Sequence, residues 1–184
     1  MQDRVLIAID LLNDFLHPEG ALYCGDEARK IIGPVKQRVL EARQAGGHVI
    51  FLCDAHVPDD LEFAMFKPHA VKGTWGAELI EDIKELLDGG GWYTIVEKTR
   101  YSGFYGTKLE EILEELGVPP GVPGKPVEVA GVCTSICIMD TVGDLINRHI
   151  HSLVQKSLVA DFNPDAQNAA FARMRDIYGA TILE

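Results

Sequence analysis

The feature that most constrains the fold is a regular alternation of short apolar runs and amphipathic segments along the chain. The apolar runs are continuous, which is typical of parallel strands that are covered on both faces. The amphipathic segments carry apolar residues at helical spacing and end at glycines such as Gly46 and Gly117. This order predicts an α/β fold, a Rossmann-like three-layer α/β/α arrangement around a mostly parallel six-stranded sheet. The predicted strands are 5–9, 48–53, 92–96, 127–130, 153–160 and 180–183, and the predicted helices are 31–42, 79–87, 109–116, 135–147 and 165–177.

Length, charge and cysteine usage limit the class of protein. A chain of 184 residues is long enough for one domain with a sizeable core and short for two, so we expect a single domain over residues 1–184. The net charge of −11 argues against a surface that binds nucleic acid. No apolar run has the length of a membrane span, and no basic region leads into a signal core, so we expect a cytoplasmic protein without membrane partners. The four cysteines are irregularly spaced, unlike a disulfide framework.

Reactive side chains follow four of the predicted strands. Asp10 follows the first strand, Asp54 the second, Lys98 the third, and the turn 131–137 the fourth. Parallel strands bring their carboxyl ends to one edge of the sheet, and ligands of open α/β sheets bind beyond that edge. We therefore expect these side chains to converge on one ligand site.

Cys137 falls in the first turn of the helix that follows the fourth strand. Unpaired N–H groups and the positive end of the helix dipole favour a thiolate there, and the thiolate is the nucleophile. Asp10 could serve as the base, and Lys98 could lower the pKa of the thiol. Singly, these residues have plainer interpretations: a buried structural cysteine beside Ile136 and Ile138, a turn carboxylate and a surface lysine. Together they favour catalysis.

A long irregular segment, 54–75, follows the second strand, and loops of this length are often functional. Asp54 and His56 are two residues apart, so their side chains can face one way in extended chain. Glu62 and His69 follow on the same segment. Two imidazoles and one or two carboxylates suit zinc, iron or manganese, and they leave positions open for water or substrate. The alternative is an acidic surface loop with two incidental histidines.

Five short segments of this chain together point to a known family. They are 8–15 (AIDLLNDF), 54–56 (DAH), 66–76 (FKPHAVKGTWG), 97–104 (EKTRYSGF) and 131–137 (GVCTSIC). Over essentially its whole length the chain resembles the nicotinamidase branch of the isochorismatase-like cysteine hydrolases. The second and third segments mark that branch, and the others are general to the superfamily.

The resemblance implies an isochorismatase-like fold and hydrolysis of a small-molecule amide, nicotinamide, to nicotinate and ammonia through a thioester, a step in NAD salvage. It implies one divalent metal ion, with zinc ahead of iron or manganese, and a homo-oligomer, since relatives are often dimers or larger. The Val132–Cys133 bond matches a cis peptide bond. The implied roles are a catalytic triad of Asp10, Lys98 and Cys137; an oxyanion hole from the backbone N–H groups of Cys133 and Cys137; metal ligands Asp54, His56, Glu62 and His69; and ring-binding residues Phe15, Phe66 and Tyr101.

The chain also departs from the family pattern, and two rival functions stay open. Ser135 stands where the family usually has Asp, although either residue can cap a helix, and Lys67 replaces a commoner proline. A hydrolase of ureido or N-carbamoyl compounds would keep the triad but would not need the metal ligands. A non-catalytic binding protein on the same fold is the second rival. Isochorismate hydrolysis is weaker, because that branch generally lacks both the metal loop and the cysteine.

Overall fold

A computed structural model describes residues 5–122, 124 and 126–184, so residues 1–4, 123 and 125 of the expected domain lie outside it. Its centre is a six-stranded sheet, and all five strand pairs are parallel. The expected α/β class and six-stranded sheet are confirmed. The strands are β1 (Val5–Ile9), β2 (His48–Asp54), β3 (Tyr93–Lys98), β4 (Val127–Val132), β5 (Ser152–Ala160) and β6 (Thr181–Leu183), and their order in the sheet is β3-β2-β1-β4-β5-β6.

Helices cover both faces of this sheet. Among the described residues, none of them is long and apolar enough to cross a bilayer. The α-helices are α1 (Asn13–Leu16), α2 (Asp26–Arg29), α3 (Ile32–Gln44), α4 (Glu81–Lys84), α5 (Leu109–Glu115), α6 (Met139–Asn147) and α7 (Pro164–Asp176). Two 3₁₀ turns (Leu61–Ala64 and Trp75–Ala77) and one π turn (Thr134–Ile138) complete the described elements.

The central strand β1 is buried along its whole length, because its side chains alternate between two apolar layers. Leu6 and Ala8 belong to the buried cluster that includes the apolar side of α3. Ile7 and Ile9 belong to the opposite cluster, which includes the inner sides of α6 and α7. The strand has no solvent-facing side, which explains its continuous apolar sequence.

The helix predicted over 79–87 is wrong in extent, since only the single turn of α4 forms there. Leu79 forms an isolated antiparallel bridge with Leu12, and the N–H of Ile80 donates to the carbonyl of Leu11. The first apolar residues of the segment therefore pair with the chain that follows β1. The helix predicted over 135–147 is present but begins as the π turn Thr134–Ile138.

Gly131 positions the turn that follows β4. Its φ of 116° lies in the region that favours glycine, and a Cβ atom there would lie 1.9 Å from the carbonyl oxygen of Ile9. The pairing of β4 with β5 also shifts register between Val129 and Gly131. A glycine is therefore needed for β4 to pass close to the end of β1 and lead into the π turn.

Candidate active site

Asp10, Lys98 and Cys137 meet at the carboxyl edge of the sheet. Asp10 follows β1, Lys98 ends β3, and Cys137 lies in the π turn after β4. Lys98 Nζ lies 2.8 Å from Asp10 Oδ2 and 3.6 Å from Cys137 Sγ. A carboxylate oxygen of Asp10 lies within 4.8 Å of the Cys137 sulfur. The three side chains are buried and form one contact group, as their positions after three different strands led us to expect.

The backbone of Asp10 turns sharply as the chain leaves β1. Its φ of 53° lies in the left-handed region, which aspartate tolerates better than most residues. Its N–H donates to the carbonyl of Leu52 at 2.8 Å, and its Oδ1 accepts the N–H of Asp54 at 2.9 Å. The end of β2 therefore holds one carboxylate oxygen, and the other faces Lys98.

Lys98 is the cation of a buried charge cluster. Its Nζ donates to Asp54 Oδ1 at 2.5 Å as well as contacting Asp10 and the sulfur of Cys137. Burial lowers the pKa of Lys98, but the charges of Asp10 and Asp54 outweigh burial and hold that pKa well above its usual value. The ammonium therefore stays charged at neutral pH.

Burial is the largest influence on the pKa of both Asp10 and Cys137. Burial, and then the negative charge of Asp54, raise the pKa of Asp10 to about 6 despite the opposing charge of Lys98. Burial raises the pKa of Cys137 well above its usual value, more than Lys98 lowers it. Lys98 lowers the pKa of the thiol, as expected, but burial outweighs that charge, so the net lowering that the sequence suggested does not occur. At neutral pH the ionised carboxylate of Asp10, whose pKa is raised, therefore lies near the protonated thiol of Cys137.

Asp54, His56 and His69 form a second buried group next to the first. One ligand atom of each lies within 4.8 Å of the others. Asp54 Oδ2 is 3.6 Å from His56 Nε2 and 3.9 Å from His69 Nε2. Glu62 Oε1 lies 3.9 Å from His69 Nε2, so the fourth residue of the expected ligand set also lies at the group.

The hydrogen bonds around the two imidazoles fit a metal ion. The outer nitrogens are occupied: His56 Nδ1 lies 3.1 Å from Asp60 Oδ2, and His69 Nδ1 lies 2.7 Å from the carbonyl oxygen of Lys67. His56 Nε2 and Glu62 Oε2 are buried and have no hydrogen-bond partner among the described residues. Occupied Nδ1 atoms and inward Nε2 atoms are the arrangement that metal-binding histidines show. Lys67 contributes through its carbonyl, so the change from proline leaves that contact in place.

A cavity of about 450 Å³ opens onto both groups. Phe15, Phe66 and Tyr101 line it together with Cys137. The ring centroid of Phe15 lies 5.6 Å from that of His69, and the rings of Phe66 and Tyr101 are 6.4 Å apart. Further wall residues were not predicted from the sequence, because most of them lie in loops that match no site motif. They are residues 20–24, Ile136 and Phe162.

Asp161, which follows β5, holds the turn that carries Cys137. Its Oδ2 accepts the N–H of Ser135 at 2.7 Å, and its Oδ1 accepts the N–H of Asn163 at 3.0 Å. The turn thus forms with serine at position 135, and the carboxylate that accepts its N–H comes from the residue after β5. The Val132–Cys133 peptide bond is cis, as the family resemblance implied. The use of the Cys133 and Cys137 N–H groups as an oxyanion hole stays a prediction.

Comparison with known proteins identifies the family of this chain and proteins of similar sequence and structure. A family model described as the isochorismatase domain matches residues 4–184. The chain belongs to this family. It is 33% identical over 189 residues to the isochorismatase family protein PncA of Bacillus subtilis strain 168, covering 98% of this chain and 99% of that protein. The crystal structure of nicotinamidase PncA from Bacillus subtilis matches with a TM-score of 0.90 at 33% identity, and 100% of each chain is covered.

Two further structures bear on the metal and on the substrate. The pyrazinamidase of Pyrococcus horikoshii in complex with zinc has a TM-score of 0.86 and 27% identity, with 99% of both chains covered. The N-carbamoylsarcosine amidase from Thermoplasma acidophilum has a TM-score of 0.83 and 30% identity, covering 100% of this chain and 96% of that one. The similar structures thus include a pyrazinamidase and an N-carbamoylsarcosine amidase.

Proposed function

We propose that this protein is a nicotinamidase, which hydrolyses the carboxamide of nicotinamide to nicotinate and ammonia. The observation that carries the proposal is the position of the Cys137 sulfur. It lines an aromatic-walled cavity, 3.6 Å from Lys98 Nζ and within 4.8 Å of a carboxylate oxygen of Asp10. The similarity to the nicotinamidase of Bacillus subtilis supports the choice of substrate.

In the first half of the proposed reaction, Asp10 accepts the proton of the Cys137 thiol as the sulfur attacks the amide carbon. The carbonyl oxygen becomes an oxyanion, which the N–H groups of Cys133 and Cys137 stabilise. The carbon–nitrogen bond then breaks, and Asp10 returns the proton to the leaving ammonia. The product of this half is a thioester on Cys137.

In the second half, Asp10 takes a proton from water, and the resulting hydroxide attacks the thioester carbon. The carbon–sulfur bond breaks and the sulfur regains its proton from Asp10. Nicotinic acid leaves and releases its own proton to water as nicotinate. Lys98 keeps its charge throughout and stabilises the ionised forms of both partners. The pKa of about 6 suits Asp10 to both duties, since it is ionised at neutral pH yet basic enough to take a proton.

The cavity walls and the second buried group, hereafter the metal-binding group (Asp54, His56, Glu62 and His69), would orient the substrate. Phe15, Phe66 and Tyr101 would hold the faces and edge of the pyridine ring, which leaves the amide beside Cys137. We propose zinc as the ion, held by the two imidazoles and two carboxylates of the second group; when bound, it supplies a Lewis acid that attracts the ring nitrogen. The zinc complex of the similar pyrazinamidase supports this choice.

Ammonia release from a small panel of amides tests the proposal. We expect nicotinamide and pyrazinamide to be hydrolysed, benzamide to be a poor substrate because its ring lacks the nitrogen, and a chelator to reduce turnover until zinc is restored. The variant Cys137→Ala should release no ammonia while it still binds zinc. Turnover of benzamide equal to that of nicotinamide, or activity in Cys137→Ala, would contradict the proposal.

A hydrolase of N-carbamoyl compounds is the second candidate, because the similar structures include an N-carbamoylsarcosine amidase. That activity would need the triad but not the buried histidines. The same panel separates the two candidates when it includes N-carbamoylsarcosine. Full activity on that compound in metal-free protein, without activity on nicotinamide, would favour the second candidate.

We also propose a cytoplasmic location and a homo-oligomer. The four cysteines are free thiols, which is the usual state in a reducing compartment. Light scattering of the purified protein would test the oligomer. The absence of nucleic-acid and membrane partners stays a prediction from composition.

A further inference from the structure

Asp60 is a buried carboxylate with partners on three sides, and it lies just before the turn Leu61–Ala64. Its Oδ2 lies 3.1 Å from His56 Nδ1, and its Oδ1 accepts the N–H of Glu62 at 2.9 Å. Arg100 Nη1 donates to the same carboxylate, at 2.9 Å from Oδ1 and 3.1 Å from Oδ2. One side chain thus connects two residues of the metal-binding group with the segment that follows β3.

The hydrogen bonds of Asp60 decide which nitrogen of His56 carries hydrogen. The Asp60 carboxylate accepts the backbone N–H of Glu62 and is ion-paired with the guanidinium of Arg100, so both of its other partners are hydrogen-bond donors. An ionised carboxylate only accepts hydrogen bonds, so the hydrogen between the two side chains belongs to His56 Nδ1. In a neutral imidazole the lone pair then lies on Nε2, the buried atom that has no partner among the described residues.

We propose that Asp60 is a positioning residue for the metal-binding group and that Arg100 acts through it. Asp60 fixes the ring and the tautomer of His56, and it holds the turn on which Glu62 lies. Arg100 neutralises the carboxylate and keeps it between its partners; its own side chain is 37% exposed, whereas that of Asp60 is 5% exposed. The inference rests on the proposed function only in taking His56 and Glu62 as metal ligands.

Zinc affinity, measured on metal-free protein by competition with a chromophoric chelator, tests the role of Asp60. Partners of this kind contribute about 10- to 100-fold to metal affinity, and we expect a loss of that size in Asp60→Ala. Asp60→Asn should lose less, because its amide oxygen can still accept the Nδ1 hydrogen. Asp59→Asn is the matched control: it makes the same change of charge at the exposed neighbouring residue and should bind zinc like wild type.

Two readouts separate positioning from a general effect on folding. Thermal unfolding and circular dichroism of the metal-free variants report whether the fold is intact, and Asp60→Asn serves if Asp60→Ala does not fold. The visible absorption of bound Co²⁺ reports the ligand geometry. We expect its bands to shift in Asp60→Ala and to stay unchanged in Asp59→Asn.

A double-mutant cycle tests whether Arg100 acts through Asp60. Arg100→Ala should weaken zinc binding in the wild-type background and add no further loss in Asp60→Ala. A full further loss there would overturn this part of the proposal and point instead to Glu62, whose Oε2 lies 4.0 Å from Arg100 Nη1.

The outcomes also distinguish this inference from the proposed function. Wild-type affinity and an unchanged Co²⁺ spectrum in Asp60→Ala would overturn the inference, even if the enzyme hydrolyses nicotinamide. A wild-type protein that binds no zinc would overturn it as well. A protein that binds zinc, loses affinity in Asp60→Ala and releases no ammonia from nicotinamide would support the inference and contradict the proposed function.

Discussion

Replacing Lys98 by methionine removes the cation that lies between two buried carboxylates. In the wild-type protein Lys98 Nζ is 2.5 Å from Asp54 Oδ1 and 2.8 Å from Asp10 Oδ2. Methionine has a similar length but no charge, so both carboxylates stay buried without their partner. Removing one member of a buried ion pair costs about 3–5 kcal/mol, and we expect a loss of that size in the free energy of unfolding of the metal-free protein at neutral pH.

The sign of the pH dependence follows from Asp10. Burial raises the pKa of Asp10 to about 6 even with Lys98 present, and loss of the lysine removes an influence that lowers it. Between the ordinary aspartate pKa of about 3.9 and this raised value, the folded protein binds a proton that the unfolded chain has released. Stability therefore falls as the pH rises through that window. The loss in Lys98→Met should be smallest below about pH 4 and largest above pH 7.

Urea unfolding followed by circular dichroism, at several pH values, measures this loss, and ammonia release measures turnover in the same variant. Turnover should fall sharply at neutral pH, because the higher pKa of Asp10 leaves less of the ionised base. Lys72→Met is the matched control, since it breaks an exposed pair with Glu97 and should cost about 1 kcal/mol or less. If Lys98→Met unfolds at the wild-type urea concentration and retains wild-type turnover, Lys98 neither stabilises the two carboxylates nor keeps Asp10 ionised.

Two further predictions concern the turn after β4 and the base. Gly131→Ala should lower the free energy of unfolding by more than about 2 kcal/mol, because the added Cβ would lie 1.9 Å from a backbone oxygen. The control is Gly25→Ala, where φ is 92° and no atom lies within 4 Å of the added Cβ, so that only backbone strain is introduced. Equal losses of the two variants in urea unfolding would contradict the clash at Gly131. If Asp10 is an ionised base with a pKa of about 6, kcat/KM should be constant above pH 7 and fall about tenfold for each pH unit below 6. A kcat/KM that stays constant down to pH 4.5 would exclude Asp10 as the base.

The sheet could be predicted from the sequence because its strands are buried on both faces. A strand such as β1, with no exposed residue, must be apolar throughout, and that pattern is visible without coordinates. The site followed from the same logic, since Asp10 and Lys98 come at strand ends that a parallel sheet brings together. The helix predicted over 79–87 was too long, because Leu79 and Ile80 fit the helical spacing but pair with residues after β1. That pairing depends on tertiary structure and cannot be recognised from the local sequence pattern.

Burial limited what the sequence could predict about the chemistry. The helix position of Cys137 argues for a lowered thiol pKa, but the dominant influence is burial, which depends on the packing of the whole site. Asp59 and Asp60 are adjacent residues of the same type, yet Asp59 is exposed to solvent and Asp60 is buried against the imidazole of His56. Asp161 caps the turn of Ser135 across 26 residues of sequence, and no local motif marks that pairing.

The proposed reaction requires the sulfur of Cys137 to form a covalent bond with the acyl group of the substrate. Mass spectrometry of protein that is acid-quenched during turnover of nicotinamide detects this bond. We expect a peptide containing Cys137 in which one nicotinoyl group has replaced the thiol hydrogen, and no such adduct in Cys137→Ala. Ammonia release that continues without any adduct on Cys137, or in the Cys137→Ala variant, would show that the cysteine is not the nucleophile.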